Sequence, residues 1–418
     1  MRRTLHACSV AKPAPALAWA AGGAYPPIAH SVAMDSPPPS GRWLPFAAFG
    51  IGLVASLTLA EVVLRVVRPA QLSRIEYPCI YEPDAEIGFR YIPGSSGRVS
   101  GHFEINNWVE INSLGFYDEE PLPPERSDLR VLAVGDSFTA AMNVPRADVW
   151  TAVTERELRT RGFPTADVVN LGIDGTGTDV HVRLMERFVP RLRPQVVVLA
   201  FYGNDYLDVQ TGRFTRECWR GTVLSYQTTA QRDALRERAD ALAEARVRRF
   251  LFDHFFVARL VAYLSGGVLN PYRLNFLQPR LAELGLDAAV IASRLPWVTE
   301  VLDRLERVGA ECDCRLLIAP VPARIDLEGS LAVFRSQVGL RRFDVVDVAP
   351  VLRAALARDR LSPNDLFFVH DDHLNAYGNR LYGEAVAAAI LRRVGATPGV
   401  SAGSRGGLVS RPSSATSP

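Results

Sequence analysis

Excess charge of either sign is what this sequence most lacks: 47 Lys and Arg against 45 Asp and Glu leave a formal charge of +2. A protein that coats nucleic acid displaces counterions with a basic surplus, so no nucleic acid is expected among its partners. Cysteine is scarce as well. Five in 418 residues, at positions 8, 79, 218, 312 and 314, cannot build a disulfide scaffold and lack the paired spacing of a structural zinc site. Cys312 and Cys314 are too close in sequence for an easy mutual bridge, and either reaches Cys79 or Cys218 only if the fold brings them together, so the redox state stays open. No internal repeat of fixed period is present. Apolar mass is not lacking: 48% hydrophobic content can bury at least one sizeable core, which excludes wholesale disorder.

Composition divides the chain. Residues 1–41 are rich in Ala, Pro and Ser without an apolar period, and read as a disordered leader or as translation upstream of a start at Met34. Trp43 to Ala60 is then an uncharged apolar run of 18 residues. At 1.5 Å per residue such a run comes close to the ~30 Å hydrocarbon thickness, so residues 42–68 are expected to form a transmembrane anchor, with 43–67 in contact with the bilayer. A cleaved secretory segment fits less well, because the run is long and has no small-x-small exit before Glu61. Arginines flank both ends, so the positive-inside comparison changes sign with the choice of start. A β-rich prefix is expected over 69–128, with alternating runs at Val99 to Ile105 and Val109 to Leu114, and a main domain over 129–393. The Gly/Ser/Pro-rich tail, 394–418, should be disordered.

Within the main domain, short apolar runs alternate with helical patterns. The runs are Arg130 to Val134, Asp167 to Asn170, Gln195 to Phe201, Arg315 to Ala319 and Asp344 to Val348. Strands buried on both faces with helices between them predict a flavodoxin-like three-layer α/β/α fold on a mainly five-stranded parallel sheet. An insertion of about 206–290 carries one charged helix, Gln231 to Arg249, and one apolar stretch, Phe250 to Leu264, expected to pack against the sheet with His254 in a structural role.

The chemistry lies at the strand ends. Val131 to Val134 runs into Gly135-Asp136-Ser137, which places the Ser137 hydroxyl at a strand-to-helix turn where backbone N–H groups point outward. By itself the tripeptide reads equally as a helix cap. The second strand ends in Asn170-Leu171-Gly172, where a glycine lets backbone approach a ligand, and the third in Gly203-Asn204-Asp205, where a neutral amide can donate. Ordinary turns explain each of these singly. Near the C-terminus, His370-Asp371-Asp372-His373 precedes the last helix. His373 can activate a serine, and a carboxylate one or two residues earlier can hold its tautomer. Four adjacent ligand types without a second cluster argue against a metal site.

Taken together, in the order Ser, Gly, Asn, His, these blocks resemble the SGNH hydrolase family, the GDSL-type esterases, over roughly residues 80–393. The segment Asn112 to Asp118 resembles the prefix of membrane-anchored members. The resemblance implies Ser137 as nucleophile, the Ser137 and Gly172 N–H groups and the Asn204 side chain as oxyanion hole, and His373 as base. The family's usual acid lies three residues before the histidine, where this chain has His370. Asp371 is therefore expected as the acid in preference to Asp372, with a Ser-His dyad on a backbone carbonyl as the alternative. The expected activity is hydrolysis of a small-molecule or carbohydrate ester through an acyl-enzyme, with no cofactor and no metal, by a single-pass membrane protein whose catalytic domain is extracytoplasmic. Transfer of the acyl group to a cell-envelope polysaccharide, or a catalytically silent carbohydrate-binding scaffold, are the competing readings. Oligomeric state is not legible.

Overall fold

The computed structural model describes residues 43–264, 276–277, 295–324, 327 and 343–395. The expected leader, 1–41, and the tail beyond Gly395 lie outside the described residues. The chain divides into two compact units at Ser56/Leu57. In the first, the described residues begin helix α1 (Leu44–Val67), a 24-residue helix of which no residue is buried. The helix is long and apolar enough to cross a membrane.

In the second unit, the prefix forms two antiparallel hairpins. Strands β1 (Tyr81–Asp84) and β2 (Gly88–Tyr91) make one, and β3 (Ser96–Gly101) and β4 (Ile105–Glu110) the other. The second hairpin lies several residues earlier than the expected runs at 99–105 and 109–114. Its turn uses His102 and Phe103 at φ of 54° and 63°. Side chains seldom adopt that left-handed region, so the sequence carries no Asn-Gly signal to mark it.

The main sheet contains β5 (Arg130–Val134), β6 (Asp167–Asn170), β7 (Val196–Phe201), β11 (Arg315–Pro320) and β12 (Asp344–Val345), all parallel, in the order β12-β11-β7-β5-β6. That is the expected flavodoxin-like order, 2-1-3-4-5 read from the other edge. β5, β6 and β7 are buried at every position, which is why their apolar residues are consecutive rather than alternating, with Arg130, Asp167 and Asn170 as buried polar residues at the strand ends. The last strand is shorter than expected: β12 keeps two residues.

Helices α3 (Trp150–Thr160), α10 (Ala349–Asp359) and α11 (Ala376–Val394) form one contacting group. Helices α4 (Thr178–Leu192), α5 (Gly203–Thr211) and α9 (Leu295–Glu311) form the other. Trp150 meets Tyr382 edge to face at 5.3 Å in the first group. These two layers cover the sheet.

The insertion departs from expectation. It holds a second small sheet, β8 (Thr215–Trp219) and β9 (Thr222–Tyr226) paired antiparallel, with β10 (Phe276–Leu277) parallel to β9. Its charged segment is helix α6 (Thr229–Glu244), which stops at Ala245. There ψ is 55° and helix α7 (Arg246–His254) begins. The apolar stretch is divided between α7 and α8 (Phe256–Leu264) and does not pack on the main sheet. Phe250, Leu251, Phe255, Val261 and Leu264 are exposed, and α8 instead touches the 3₁₀ turn Ala70–Leu72. His254 has no catalytic neighbour; its Nδ1 lies 2.9 Å from the Phe250 carbonyl.

Both cysteine pairs are disulfides. Cys79–Cys218 links the prefix to β8. Cys312–Cys314 corrects the expectation that these two do not bridge: the chain bends after α9, and their Cα atoms lie 5.1 Å apart, within ordinary disulfide reach.

Candidate active site

β5 delivers the chain to the carboxyl edge of the sheet and must turn at once. Asp136 caps the four-residue helix α2 (Ser137–Ala140) by accepting the Phe138 N–H on Oδ1 at 2.9 Å. Ser137 is the first helical residue, so its N–H has no partner inside the helix. Burial pushes the Asp136 carboxyl up to about 6, against the cap bond and the nearby His373.

The loop that carries His373 is held from both sides. Asn375 caps α11 by accepting the Gly378 N–H and donates to the carbonyls of Asp365 and Phe367. Phe368 N–H donates to the His373 carbonyl. Arg324, just after β11, donates to the Asp371 carbonyl at 2.7 Å and to that of Phe368. The imidazole then sits with Nε2 2.7 Å from Ser137 Oγ and Nδ1 2.5 Å from Asp371 Oδ1. This spacing has Nδ1 donating to the carboxylate and the serine hydroxyl donating to Nε2. Phe138 lies against the ring at 4.7 Å.

Burial by itself would lower the His373 pKa, but the Asp371 hydrogen bond and charge, with Asp136 and Asp174 farther off, raise it above 6.5. Burial likewise pushes Asp371 up, and its bonds to His373 outweigh that, so its pKa lies below the usual carboxylate value. Asp372 points away: its side chain is 81% exposed and pairs with Arg324 Nε at 3.1 Å. His370 is exposed; its N–H donates to Glu104 and its ring lies 6.2 Å from that of His102, away from the Ser137–His373 contact.

Ser137, His373 and Asp371 line a cavity of about 350 Å³ together with Asp174, Gly175 and Arg216. Gly172 is not among its lining residues. Its N–H already donates to Asn170 Oδ1 at 2.9 Å, and a Cβ on it would lie 2.2 Å from the Ala140 nitrogen. It therefore braces the underside of α2, where Asn170 Nδ2 also bonds the Thr139 carbonyl. Gly175 does line the cavity, in left-handed conformation at φ 66°. Its N–H has no acceptor among the described residues. Asn204 stands at the second position of α5. Its Nδ2 donates to Asp208 Oδ2 at 3.2 Å, its amide lowers Asp136, and it is not among the residues that line the cavity.

Asp174 and Arg216 were not legible as site residues. Arg216 Nη1 bonds Asp174 Oδ2 at 2.6 Å and the Asp174 carbonyl at 3.0 Å, while Tyr91 Oη donates to the same carboxylate at 2.7 Å. The guanidinium lies over Phe89 at 4.4 Å and near the rings of Tyr81 and Phe276. It comes from β8, so only the unexpected strand pair of the insertion brings it here. Among the described residues, no group of three or more His, Cys, Asp or Glu could hold a metal ion.

Residues 133–304 match the GDSL-like Lipase/Acylhydrolase family. No curated protein matches the chain. Among solved structures, an acetyl xylan esterase, AlAXEase, is 16% identical over 63% of this chain and 100% of its own, with a TM-score of 0.34. A lipase/acylhydrolase from Enterococcus faecalis is 14% identical over 65% of this chain and 100% of its own, with a TM-score of 0.33. A psychrotrophic esterase, EstA, from Pseudoalteromonas sp. is 9% identical over 64% and 100%, with a TM-score of 0.32.

Proposed function

We propose, for a chain that belongs to the GDSL-like lipase/acylhydrolase family through residues 133–304 and so hydrolyses ester bonds, that Ser137 works by an acyl-enzyme cycle on a small-molecule or carbohydrate ester. The observation that carries the reading is the continuous chain Asp371–His373–Ser137, with contacts of 2.5 and 2.7 Å. Ser137 Oγ attacks the ester carbonyl while its proton passes to His373 Nε2, and Asp371 stabilises the imidazolium that forms. The carbonyl oxygen becomes an oxyanion that accepts from the Ser137 and Gly175 N–H groups. Asn204 completes the hole by turning its amide from Asp208 toward that oxygen. His373 returns the proton to the departing alcohol, then takes one from a water that attacks the acyl carbon, and the acid leaves as Ser137 is reprotonated.

Helix α1 serves as a single-pass anchor in this reading. The disulfides Cys79–Cys218 and Cys312–Cys314 support an extracytoplasmic catalytic domain, because such bonds persist in oxidising compartments. The test is covalent trapping with an active-site-directed fluorophosphonate on the full chain. Labelling should vanish in Ser137→Ala and persist in Ser113→Ala; label retained in the first variant rejects Ser137 as nucleophile.

A further inference from the structure

At the end of α1 the second unit holds another cavity, of about 560 Å³, whose wall contains Arg65, Arg68, Arg74, Arg98 and Arg259. Five guanidinium groups face three carboxylates. Glu61 pairs with Arg65 at 2.8 Å, Glu76 with Arg74, and Asp253 with Arg74 at 3.6 Å. Arg98 Nε donates to a neutral acceptor, Asn106 Oδ1, at 2.6 Å. Arg68 has no carboxylate within salt-bridge distance among the described residues. Arg259 is buried, lies over the Phe256 ring at 4.7 Å, and among the described residues donates hydrogen bonds to carbonyl oxygens, those of Phe252, Leu72 and Asp253. Arg74 Nε is buried without an acceptor. A cluster of this kind has a surplus of positive charge in a partly desolvated place, where an anion would be bound by several charge-assisted hydrogen bonds. Burial, followed by repulsion from Arg74, lowers the Arg259 pKa.

The position identifies the anion. Glu61 of α1 accepts the N–H groups of Phe256 and Val257 at 3.0 and 2.9 Å, so the start of α8 is fastened to the last turns of the apolar helix. Phe103 and Phe256 stack at 5.9 Å on the cavity wall. On the same two helices Phe250, Leu251, Phe255, Val261 and Leu264 are exposed. Cations beside an apolar helix face at the end of a membrane span match the two chemistries of an anionic lipid, phosphate above and acyl chain below.

We infer that this basic cavity binds the headgroup phosphate of an anionic membrane lipid and so holds the catalytic unit at a fixed height over the bilayer. The inference rests on the reading of α1 as an anchor. The cavity shares Ser100, Gly101 and Ile105 of the β3–β4 hairpin with the catalytic cavity, so a lipid seated there would fix the distance from membrane to Ser137.

The test uses the full chain in detergent micelles doped with phosphatidylglycerol or phosphatidylcholine, with retained lipid counted by native mass spectrometry, and flotation of the same protein with vesicles. Phosphatidylglycerol should be retained about ten-fold over phosphatidylcholine, and Arg68→Gln with Arg98→Gln should remove that preference. Ester hydrolysis in detergent should stay unchanged in the double variant, since neither residue lines the catalytic cavity. Flotation without headgroup preference overturns the lipid site and leaves the anchor standing. Headgroup preference without flotation overturns the anchor and leaves the site. Binding of inorganic phosphate with no preference between the lipids makes this a site for free phosphate and overturns the lipid assignment.

Discussion

Asp371 holds His373 at two points: its Oδ1 lies 2.5 Å from the ring Nδ1 and 2.9 Å from the backbone nitrogen of the same residue. The second bond is an Asx turn, in which a carboxylate accepts from the N–H two residues on. The turn bends the chain enough for an acid two residues before the histidine to reach the ring.

The two neighbouring aspartates should therefore behave differently. Asp371→Asn, which lets the imidazole adopt the wrong tautomer, is expected to lower kcat by a factor on the order of 10³–10⁴. Asp372→Asn removes only an exposed pair with Arg324 and should leave kcat nearly unchanged. Ester hydrolysis by the purified variants measures both, and equal losses would mean that Asp371 has no special place.

The pH profile follows from His373. A general base must be neutral to accept the serine proton, and its pKa is raised above 6.5. The acid limb of kcat/KM should accordingly have its midpoint above 6.5, with activity rising as pH rises through it. In Asp371→Asn the largest raising contributions, its hydrogen bond and charge, are gone, so the residual activity should titrate at lower pH. The same shift has a stability side. A raised imidazole pKa stabilises the fold below the unfolded value, and that contribution is lost as pH rises through the folded one.

Gly175 and Gly172 make a matched pair of tests. An alanine at Gly175 meets φ 66° and a Cβ 2.3 Å from Arg216 Nη2. The conformation costs about 1–2 kcal/mol, and displacing an oxyanion donor costs on the order of 10²–10³ in kcat. Gly172→Ala puts its Cβ against backbone, so α2 itself must move. Thermal unfolding together with steady-state kinetics should show Gly175→Ala losing mainly kcat and Gly172→Ala losing both. A Gly175→Ala variant with full kcat excludes its N–H from the oxyanion hole.

The two disulfides should differ in what they contribute. Cys79–Cys218 spans 139 residues and Cys312–Cys314 only 2. Constraint of the unfolded chain grows with loop length, so Cys79→Ser with Cys218→Ser is expected to lower stability by about 2–5 kcal/mol. Cys312→Ser with Cys314→Ser should cost much less. Denaturant unfolding of the two double variants gives the comparison, and a larger loss from the short bridge contradicts it.

The sheet was readable because strands buried on both faces carry consecutive rather than alternating apolar residues, as the interiors of β5, β6, β7 and β11 do. The β3–β4 turn was not, because His102 and Phe103 adopt positive φ without the residue types that announce it. The strands of the insertion escaped for a related reason: Thr215 to Tyr226 alternates weakly, and its pairing is secured by packing on the prefix and by Cys79–Cys218. The place of the apolar stretch of α7 and α8 does not follow from its sequence, because hydrophobicity says only that a face leaves water, not what it meets.

Local chemistry along the chain was enough to specify the layered α/β architecture and the apolar α1, which depend on periodicity and run length; the serine, histidine and aspartate were singled out only by the order of distant blocks and the family those blocks resemble. Tertiary structure alone decided that Gly175 rather than Gly172 faces the cavity, that Arg216 arrives beside Asp174, and that five arginines from α1, β3, α8 and the segment between α1 and β1 surround a second cavity. Those groupings join residues far apart in sequence, and only the packed chain brings their charges and N–H groups within hydrogen-bonding range.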